Sequence, residues 1–330
     1  MASSLTSNNA TPSLVTVFGG SGFVGRYVVS ELARRGYRVR VACRRPDLAG
    51  HLKPLGDVGQ IHCVQANLRY RWSVERAVED ADAVVNLVGI LAESGQQTFE
   101  SVQSRGAGWV AEEAARRGAH LVQMSAIGAD ENSNAEYART KAAGEAAVLK
   151  ACPGAAIVRP SIVFGPEDEF FNRFAAMAKF APALPLIGGG KTLFQPVYVG
   201  DVAKAIANLV DLGPQSTQNP IWELGGPEVL SFKACMERML DVIDRPHRFV
   251  SLPFGIARIM AGLAQYAPGA PLTPGQVEML KSDNIVSQSA EDSRQTLSGL
   301  DVQATALSAI LPKYLVRFRK HGQFQANRGL

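Results

Sequence analysis

Along the first half of the chain, short runs of β-branched and other apolar residues alternate with longer stretches in which apolar positions recur every three or four residues. These are the periods of buried strands and of half-buried helices. Strands are predicted at Leu14 to Phe18, Arg38 to Ala42, Ile61 to Gln65, Ala83 to Val88, His120 to Met124 and Ala155 to Val158. Helices are predicted at Gly22 to Arg35, with Val24, Val28 and Leu32 on one side, and at Ser73 to Glu79, Phe99 to Arg117 and Ala135 to Lys150. Strand followed by helix in steady succession builds a sheet covered on both faces, so the fold class is α/β, a doubly wound parallel sheet.

After Gly165 the rhythm loosens. The Pro- and Gly-rich Ala181 to Gly190 and the following Gln195 to Val199 read as loop and short strand rather than another regular unit. A helix at Asp201 to Val210 and a strand at Ile221 to Leu224 return the chain to the sheet, and helices at Ser231 to Ile243, Pro253 to Tyr266 and Pro274 to Ser282 form a smaller, mainly helical C-terminal lobe. The expected organisation is a disordered tail over residues 1–12, a sheet domain over 13–225 with segments 166–200 contributing to the second lobe, and the C-terminal lobe with a basic tail over 226–330. No internal repeat with a period of roughly 20 to 50 residues is present.

With 330 residues, 46% of them apolar, the chain can bury a sizeable core. Lys and Arg total 34 against 30 Asp and Glu, a balance of +4 that is too small for a general nucleic-acid binder, so any anion site is local. The four cysteines are scattered without a Cys-x-x-Cys pair, which argues against a disulfide framework or a structural zinc and suits a reducing compartment. No metal site is expected, since His51, His62, His120, His247 and His321 have no ligand spacing. Met1 to Pro12 lacks Lys, Arg and any long apolar run, so it resembles neither a secretory signal nor a transit peptide. The uncharged Met260 to Gln276 is broken by Pro268, Pro271 and Pro274 and cannot span a bilayer, which leaves a soluble or peripheral protein. Ser161 lacks a Gly-x-Ser-x-Gly elbow, so serine-hydrolase chemistry has no support.

Between the first strand and first helix stands Phe18-Gly19-Gly20-Ser21-Gly22-Phe23-Val24-Gly25. Gly19 permits a tight turn, Gly22 lets backbone approach a pyrophosphate, and Gly25 allows close packing of helix on strand, while Ser21, Phe23 and Val24 complete a loop whose helix N-terminus offers N–H groups to phosphates. The bland alternative is a glycine-rich turn with no ligand. At the end of the second strand, where an NAD-preferring protein often carries an acidic residue, stand Arg44 and Arg45. A guanidinium fork matches a 2′-phosphate, which favours NADP(H), although two solvated arginines would look the same. Asn67 and Leu68 after the third strand, and Val88 and Gly89 in the Asn86-Leu87-Val88-Gly89 turn, are candidates to edge adenine and ribose.

Tyr137 and Lys141 lie four apart on a helix and share a face. A nearby ammonium lowers a phenol's pKa, so Tyr137 is a candidate general acid or base; Lys141 is a candidate for the nicotinamide ribose and Ser125 for polarising a carbonyl. A bare Tyr-x-x-x-Lys is common on helices, and its place after the fifth strand is what gives it meaning.

Gly19-x-x-Gly22-x-x-Gly25, Asn86-x-x-Gly89, Tyr137-x-x-x-Lys141 and Arg159-Pro160 resemble the extended short-chain dehydrogenase/reductases. Arg159-Pro160-Ser161-Ile162-Val163-Phe164-Gly165-Pro166-Glu167-Asp168-Glu169-Phe170-Phe171-Asn172 and Gln195-Pro196-Val197-Tyr198-Val199-Gly200-Asp201-Val202 are more specific. They resemble an atypical branch, the NADPH-binding accessory subunits of respiratory complex I and their bacterial counterparts, over roughly residues 14 to 285. The resemblance implies that the sheet domain over 13–225 is a nucleotide-binding Rossmann domain holding NADPH structurally, docked on the hydrophilic arm of complex I near the membrane junction and the quinone-access region. It places Gly19, Gly22, Phe23 and Gly25 at the phosphates, Arg44 and Arg45 at the 2′-phosphate, Tyr137 and Lys141 at the nicotinamide side, and Pro160 and Ile162 along the nicotinamide.

Two departures weaken an enzymatic reading. The usual acidic residue after the third strand is Asn67, and the usual Asn-x-x-Gly-Thr appears as Gln103-Ser104-Arg105-Gly106-Ala107. The absence of a presequence points to a bacterial protein on the cytoplasmic face of the inner membrane. In the C-terminal lobe, Ile256, Ile259, Met260 and Leu263 recur at helical spacing around Arg258, as in a partner-binding or membrane-surface helix, or equally in a core helix. Lys313 to Leu330 carries Lys313, Arg317, Arg319, Lys320 and Arg328 without an acidic residue, a composition that suits anionic lipid, an acidic subunit or plain solvent. Two functions follow: a complex I accessory subunit that binds NADPH without turnover, or an NADP-dependent reductase or epimerase acting on a nucleotide-sugar or related carbonyl compound.

Overall fold

A computed structural model describes residues 13–320 except 215–219, 247 and 265–272. The expected tail over residues 1–12, His247, His321, Pro268, Pro271 and Arg328 lie outside the described residues. The chain begins with β1 (Leu14–Phe18), α1 (Phe23–Arg34), β2 (Arg38–Cys43), β3 (Ile61–Gln65), α2 (Arg71–Val78) and β4 (Ala83–Asn86). A π-helical turn at Glu100–Ser104 leads into α3 (Arg105–Arg117), followed by β5 (His120–Met124), α4 (Glu136–Ala151) and β6 (Ala156–Pro160). Then come β7 (Val163–Phe164), α5 (Phe171–Met177), β8 (Ala183–Ile187), β9 (Leu193–Phe194), β10 (Val197–Tyr198), α6 (Val199–Leu212) and β11 (Ile221–Leu224). The last elements are β12 (Leu230–Ser231), α7 (Phe232–Ile243), β13 (Arg248–Leu252), α8 (Phe254–Ala264), α9 (Pro274–Met279), α10 (Gln288–Asp292) and α11 (Leu307–Leu315).

Seven strands form one parallel sheet in the order β11-β6-β5-β4-β1-β2-β3, so the doubly wound expectation holds and Ile221 to Leu224 does return to the sheet. The order reverses between β1 and β4, and a crevice at the carboxyl ends of these strands is where such sheets receive ligands. Both faces are covered. Val28, Val29 and Leu32 of α1 meet Val202, Ile206 and Leu209 of α6 on one face, while Val74 of α2, Val110 and Ala114 of α3 and Val148 of α4 fill the other. Each fully buried Val, Leu or Ile contributes about 1.5–3 kcal/mol.

A third core, rich in Phe and Met, joins β7, α5, β8, β9, α7 and α11: Phe164, Phe171, Leu184, Phe194, Phe232, Met236, Met239 and Leu311 are all buried there. Leu297, Leu300 and Val302 turn back onto the first core. Among the described residues, no helix is long and apolar enough to cross a membrane.

The sequence expectations miss in specific places. Ala181 to Gly190, expected as loop, contains β8, which pairs in parallel with β13 in the register Ala183↔Arg248 to Ile187↔Leu252. Pro185 disguises the strand, yet among the described residues β8 has only one neighbour, and an edge position tolerates a residue that cannot donate. The fourth strand ends at Asn86 rather than Val88, because the Asn86 side chain accepts the Val88 N–H at 3.2 Å and turns the chain. The helix expected over Phe99 to Arg117 is present, but its first turn, Glu100–Ser104, is wound as a π-helix before α3 begins. The helix α11 was not expected: Leu307, Ile310, Leu311, Tyr314 and Leu315 recur at helical spacing, but Pro312 interrupts the run.

Candidate functional site

The glycine loop leaves β1 at Gly19, whose φ of 76° lies in the left-handed region, and Gly22 N–H bonds the Gly19 carbonyl at 3.0 Å. The loop then enters α1 from an extended Gly22, and no side chain caps the first turn, whose amide donors are therefore available to an anion. Gly25 packs so tightly that an added Cβ would lie 2.2 Å from the Gly19 oxygen. Phe23 faces Gly165, and Ser21 lies beside the Cys43 thiol at the end of β2.

From this loop the site continues as one line of close neighbours. A Cβ on Gly19 would meet Val88 at 3.3 Å, and one on Gly89 would meet Lys141 Nζ at 3.3 Å. Lys141 Nζ donates to the Met124 carbonyl at 3.5 Å and stands 5.8 Å from the Tyr137 ring centroid. Tyr137 is braced edge-on by Phe99, ring centroids 6.0 Å apart. Ser125, whose N–H bonds the Val158 carbonyl, is buried at 4% exposure, and its Oγ has no partner among the described residues. Pro160 ends β6 and accepts the Ile127 N–H, and Ile162 packs against the third core. Thus the structure brings Gly19, Val88, Gly89, Lys141 and Tyr137 to one crevice, with Ser125 and Pro160 at the ends of the adjacent β5 and β6. An unpartnered buried hydroxyl, a buried ammonium and a glycine loop under backbone contact fit a nicotinamide dinucleotide.

Burial corrects one expectation. Lys141 was to lower the Tyr137 phenol, but desolvation dominates and pushes the phenol up to about 12. The same desolvation brings the Lys141 ammonium down to about 8, against an opposing pull from Glu145 one turn along α4. Arg159 clamps Glu145 through two hydrogen bonds, of 2.9 and 2.5 Å, and lies 3.8 Å from Glu223 of β11. The Arg159-Pro160 motif thus braces α4 against the sheet. Glu145 itself carried no signal in the sequence.

The adenosine end is different. Asn67 accepts the Arg69 N–H at 3.1 Å, the Leu68 side chain belongs to the core beside Gly106, and Asn86 is fully buried, donating to Gln123 at 2.8 Å. These three side chains shape the chain around the crevice. Arg44 donates to the Gln97 amide oxygen at 2.5 Å, whereas Arg45 is paired with Asp47 at 2.8 Å.

Beside Tyr137 opens a cavity of about 870 Å³ between the sheet and the C-terminal lobe, lined by Leu91, Phe99, Arg139, Arg258, Met279 and Lys281 among others. On α8, Ala257 and Ala261 face the core, while Ile256, Ile259 and Met260 are exposed, Ile259 at 71%. Core packing therefore does not explain that stripe; the Leu263 side chain lies outside the described residues. Part of the basic tail is folded: Arg317 bonds Asn172 at 2.6 Å and Arg319 the Val242 carbonyl at 2.8 Å. Among the described residues, no group of three or more His, Cys, Asp or Glu converges as for a metal.

Residues 15–225 match the NAD dependent epimerase/dehydratase family. The mitochondrial NADH dehydrogenase [ubiquinone] 1 alpha subcomplex subunit 9 of Arabidopsis thaliana is 37% identical over 322 residues, 94% of this chain and 79% of that one. The chain belongs to that epimerase/dehydratase family and, within it, to the group of this complex I subunit. The 40 kDa subunit of NADH-ubiquinone oxidoreductase from Neurospora crassa is 30% identical over 311 residues, 94% of this chain and 80% of that one. Among solved structures, UDP-glucose 4-epimerase from Thermus thermophilus in complex with NAD has a TM-score of 0.66 over 93% of this chain and 99% of that one. At 20% identity that likeness shows the fold alone. The family assignment agrees with the resemblance read from the glycine, Tyr137/Lys141 and Arg159-Pro160 motifs.

Proposed function

We propose that this chain is an accessory subunit of a respiratory NADH:quinone oxidoreductase that binds NADPH as a structural group, without turnover of its own. The likeness to subunit 9 over 94% of the chain, C-terminal lobe included, carries this reading. The exposed Ile256, Ile259 and Met260 support it as a docking face for the junction subunits or for anionic lipid, helped by the cations of the tail. The setting is the membrane periphery, on the cytoplasmic face in a bacterium. The backbone of Gly19 to Gly25 would hold the pyrophosphate, Arg44 the 2′-phosphate, Asn67, Leu68 and Val88 the adenosine edge, Lys141 with Gly89 the nicotinamide ribose, and Ser125, Tyr137, Pro160 and Ile162 the nicotinamide. When bound, the nicotinamide supplies hydride chemistry. The protein's part is to hold it, and binding to the folded state alone stabilises by RT ln(1 + [L]/Kd), about 2.7 kcal/mol at a hundredfold excess over Kd.

The test is purification of the native protein from membranes. Co-purification with NADH:quinone oxidoreductase and with reduced NADPH supports the reading. A free soluble protein that consumes NADPH with an added carbonyl compound overturns it in favour of a reductase or epimerase. The 870 Å³ cavity beside Tyr137 favours that second reading, in which Tyr137 gives the proton. A phenol held near 12 makes a poor base at neutral pH but keeps its proton to donate.

Lys141 supplies a pH signature. In the free protein its ammonium loses the proton as pH rises through about 8, whereas ribose oxygens and nearby phosphates favour the charged form. Binding therefore takes up a proton above pH 8, and NADPH affinity is expected to fall between about pH 8 and 9. In calorimetric titrations Lys141→Met should bind more weakly at pH 7 and show no inflection near 8. An inflection that survives the substitution assigns it to another group.

A further inference from the structure

We infer that Arg69, four residues beyond β3, is a specificity-determining residue that with Arg44 grips the 2′-phosphate of the nucleotide, and that Arg45 is not the second guanidinium of that site. The inference rests on the NADP-binding reading above. Its starting point is the strand register: Cys43 at the end of β2 lies opposite Gln65 at the end of β3, so Arg44 and the Asn67-to-Arg69 turn emerge side by side at the crevice end of the sheet. The Asn67 side chain, by accepting the Arg69 N–H at 3.1 Å, fixes where that turn delivers its arginine.

One short segment then holds both guanidinium groups. The Ser94↔Gln97 bridge shapes residues 94–97 into a tight turn, and from it the Gln97 amide oxygen accepts from Arg44 at 2.5 Å while the Gln96 amide oxygen accepts from Arg69 at 2.9 Å. Consecutive residues hold the two arginines, so both groups are tethered to one point of the crevice wall.

The chemistry of the partners separates the three arginines. Arg45 is engaged by a carboxylate, with Nε 3.1 Å from Asp47 Oδ1 and a terminal nitrogen 2.8 Å from Oδ2, which occupies one edge of its fork and partly offsets its charge. Arg44 and Arg69 are held by neutral amides, and among the described residues neither has a carboxylate within ion-pair distance. An amide oxygen orients a guanidinium without neutralising it, so two positive charges stand uncompensated at the ends of β2 and β3. Arg69 carries a further mark: its Nε is buried and has no hydrogen-bond partner among the described residues, although its planar group lies 5.5 Å from the exposed Tyr70 ring. A buried guanidinium N–H without an acceptor is costly unless a ligand completes it. A phosphate dianion, with three acceptor oxygens, meets the free N–H groups of both forks and replaces the two amide oxygens.

The experiment measures Kd for NADPH and for NADH on the purified full-length, nucleotide-free chain, for the parent and for Arg44→Ala, Arg45→Ala and Arg69→Ala. Arg69→Ala, like Arg44→Ala, should weaken NADPH about ten- to a hundredfold, the loss of a charge-assisted hydrogen-bond pair, and NADH by no more than about threefold. Arg45→Ala should change either nucleotide by no more than about threefold. Apo melting temperatures check that each variant folds, and Gln97→Glu serves as an independent arm. A carboxylate there should capture Arg44 and weaken NADPH while sparing NADH. Unchanged NADPH binding by Arg69→Ala, or an equal loss for both nucleotides, overturns the role of Arg69. A parent chain that binds neither nucleotide overturns the underlying reading, and this inference with it.

Discussion

Gly25→Ala is expected to lower nucleotide affinity at least about a hundredfold and to destabilise the chain by about 2 kcal/mol. The added methyl would stand 2.2 Å from the Gly19 oxygen, 2.6 Å from the Gly20 Cα and 2.7 Å from the Gly20 carbonyl carbon. All three atoms are backbone and cannot swing aside as a side chain would. The glycine loop must therefore move off α1, and the amide donors of the first turn lose their aim. Overpacking of this kind costs about 1–3 kcal/mol, occasionally more, against a helix-propensity gain from Ala of about 1. Gly50→Ala is the matched control, since its Cβ would meet nothing within 4 Å. Thermal unfolding with and without NADPH reads both effects. Parent-like melting and ligand response in Gly25→Ala would show that the loop does not hold the phosphates as argued.

Asp168→Ala should cost about 3–5 kcal/mol in denaturant titrations, because this carboxylate, only 3% exposed, is a hub of the second lobe. It accepts the Gly165 N–H at 3.1 Å, the Asn172 N–H at 3.2 Å and the Tyr314 hydroxyl of α11. Removing it orphans all three donors. Tyr314→Phe should cost only about 1 kcal/mol, since the backbone donors stay satisfied. The pH dependence has a definite sign. Burial raises the Asp168 carboxyl above its ordinary 3.8, and the hydrogen bonds oppose that shift without cancelling it. A carboxyl raised in the folded state contributes stability below its unfolded pKa that is lost as pH rises through the folded value. The advantage of the parent over Asp168→Asn should therefore shrink on going from pH 3 toward neutrality, and an advantage that grows instead would refute the burial argument. Next to Asp168, Glu167 accepts from Arg26 at 3.1 Å and from Tyr27 at 2.9 Å, so the same loop ties the nucleotide helix α1 to the segment that anchors α11.

Most of the sheet was legible in the sequence, because each strand and helix advertises itself within ten or so residues. Leu14 to Phe18, Ile61 to Gln65 and His120 to Met124 are strands with the expected limits. The second lobe was less legible. β8 needs β13, more than 60 residues away in register, before a Pro-containing segment becomes a strand. Likewise α11 is held by Asp168, 146 residues before Tyr314, and its own Pro312 argues against a helix. The Tyr137 phenol misled for a related reason: the spacing to Lys141 is local, but the desolvation that outweighs the ammonium comes from everything packed around α4.

By itself the sequence determined what depends on neighbours along the chain: the period of the strands and helices, the left-handed turn at Gly19, the uncrowded entry to α1, and the shared face of Tyr137 and Lys141. Backbone dihedrals and helical spacing are properties of adjacent residues, so their demands are written locally. Only the tertiary structure decided that Arg44 and Arg69 are held by the consecutive Gln97 and Gln96, that Glu145 is pinned by Arg159, and that Ile256, Ile259 and Met260 face outward while Ala257 and Ala261 face the core. Burial and the pairing of charges are set by groups distant in sequence, and which partner a side chain meets exists only once the chain has closed around it.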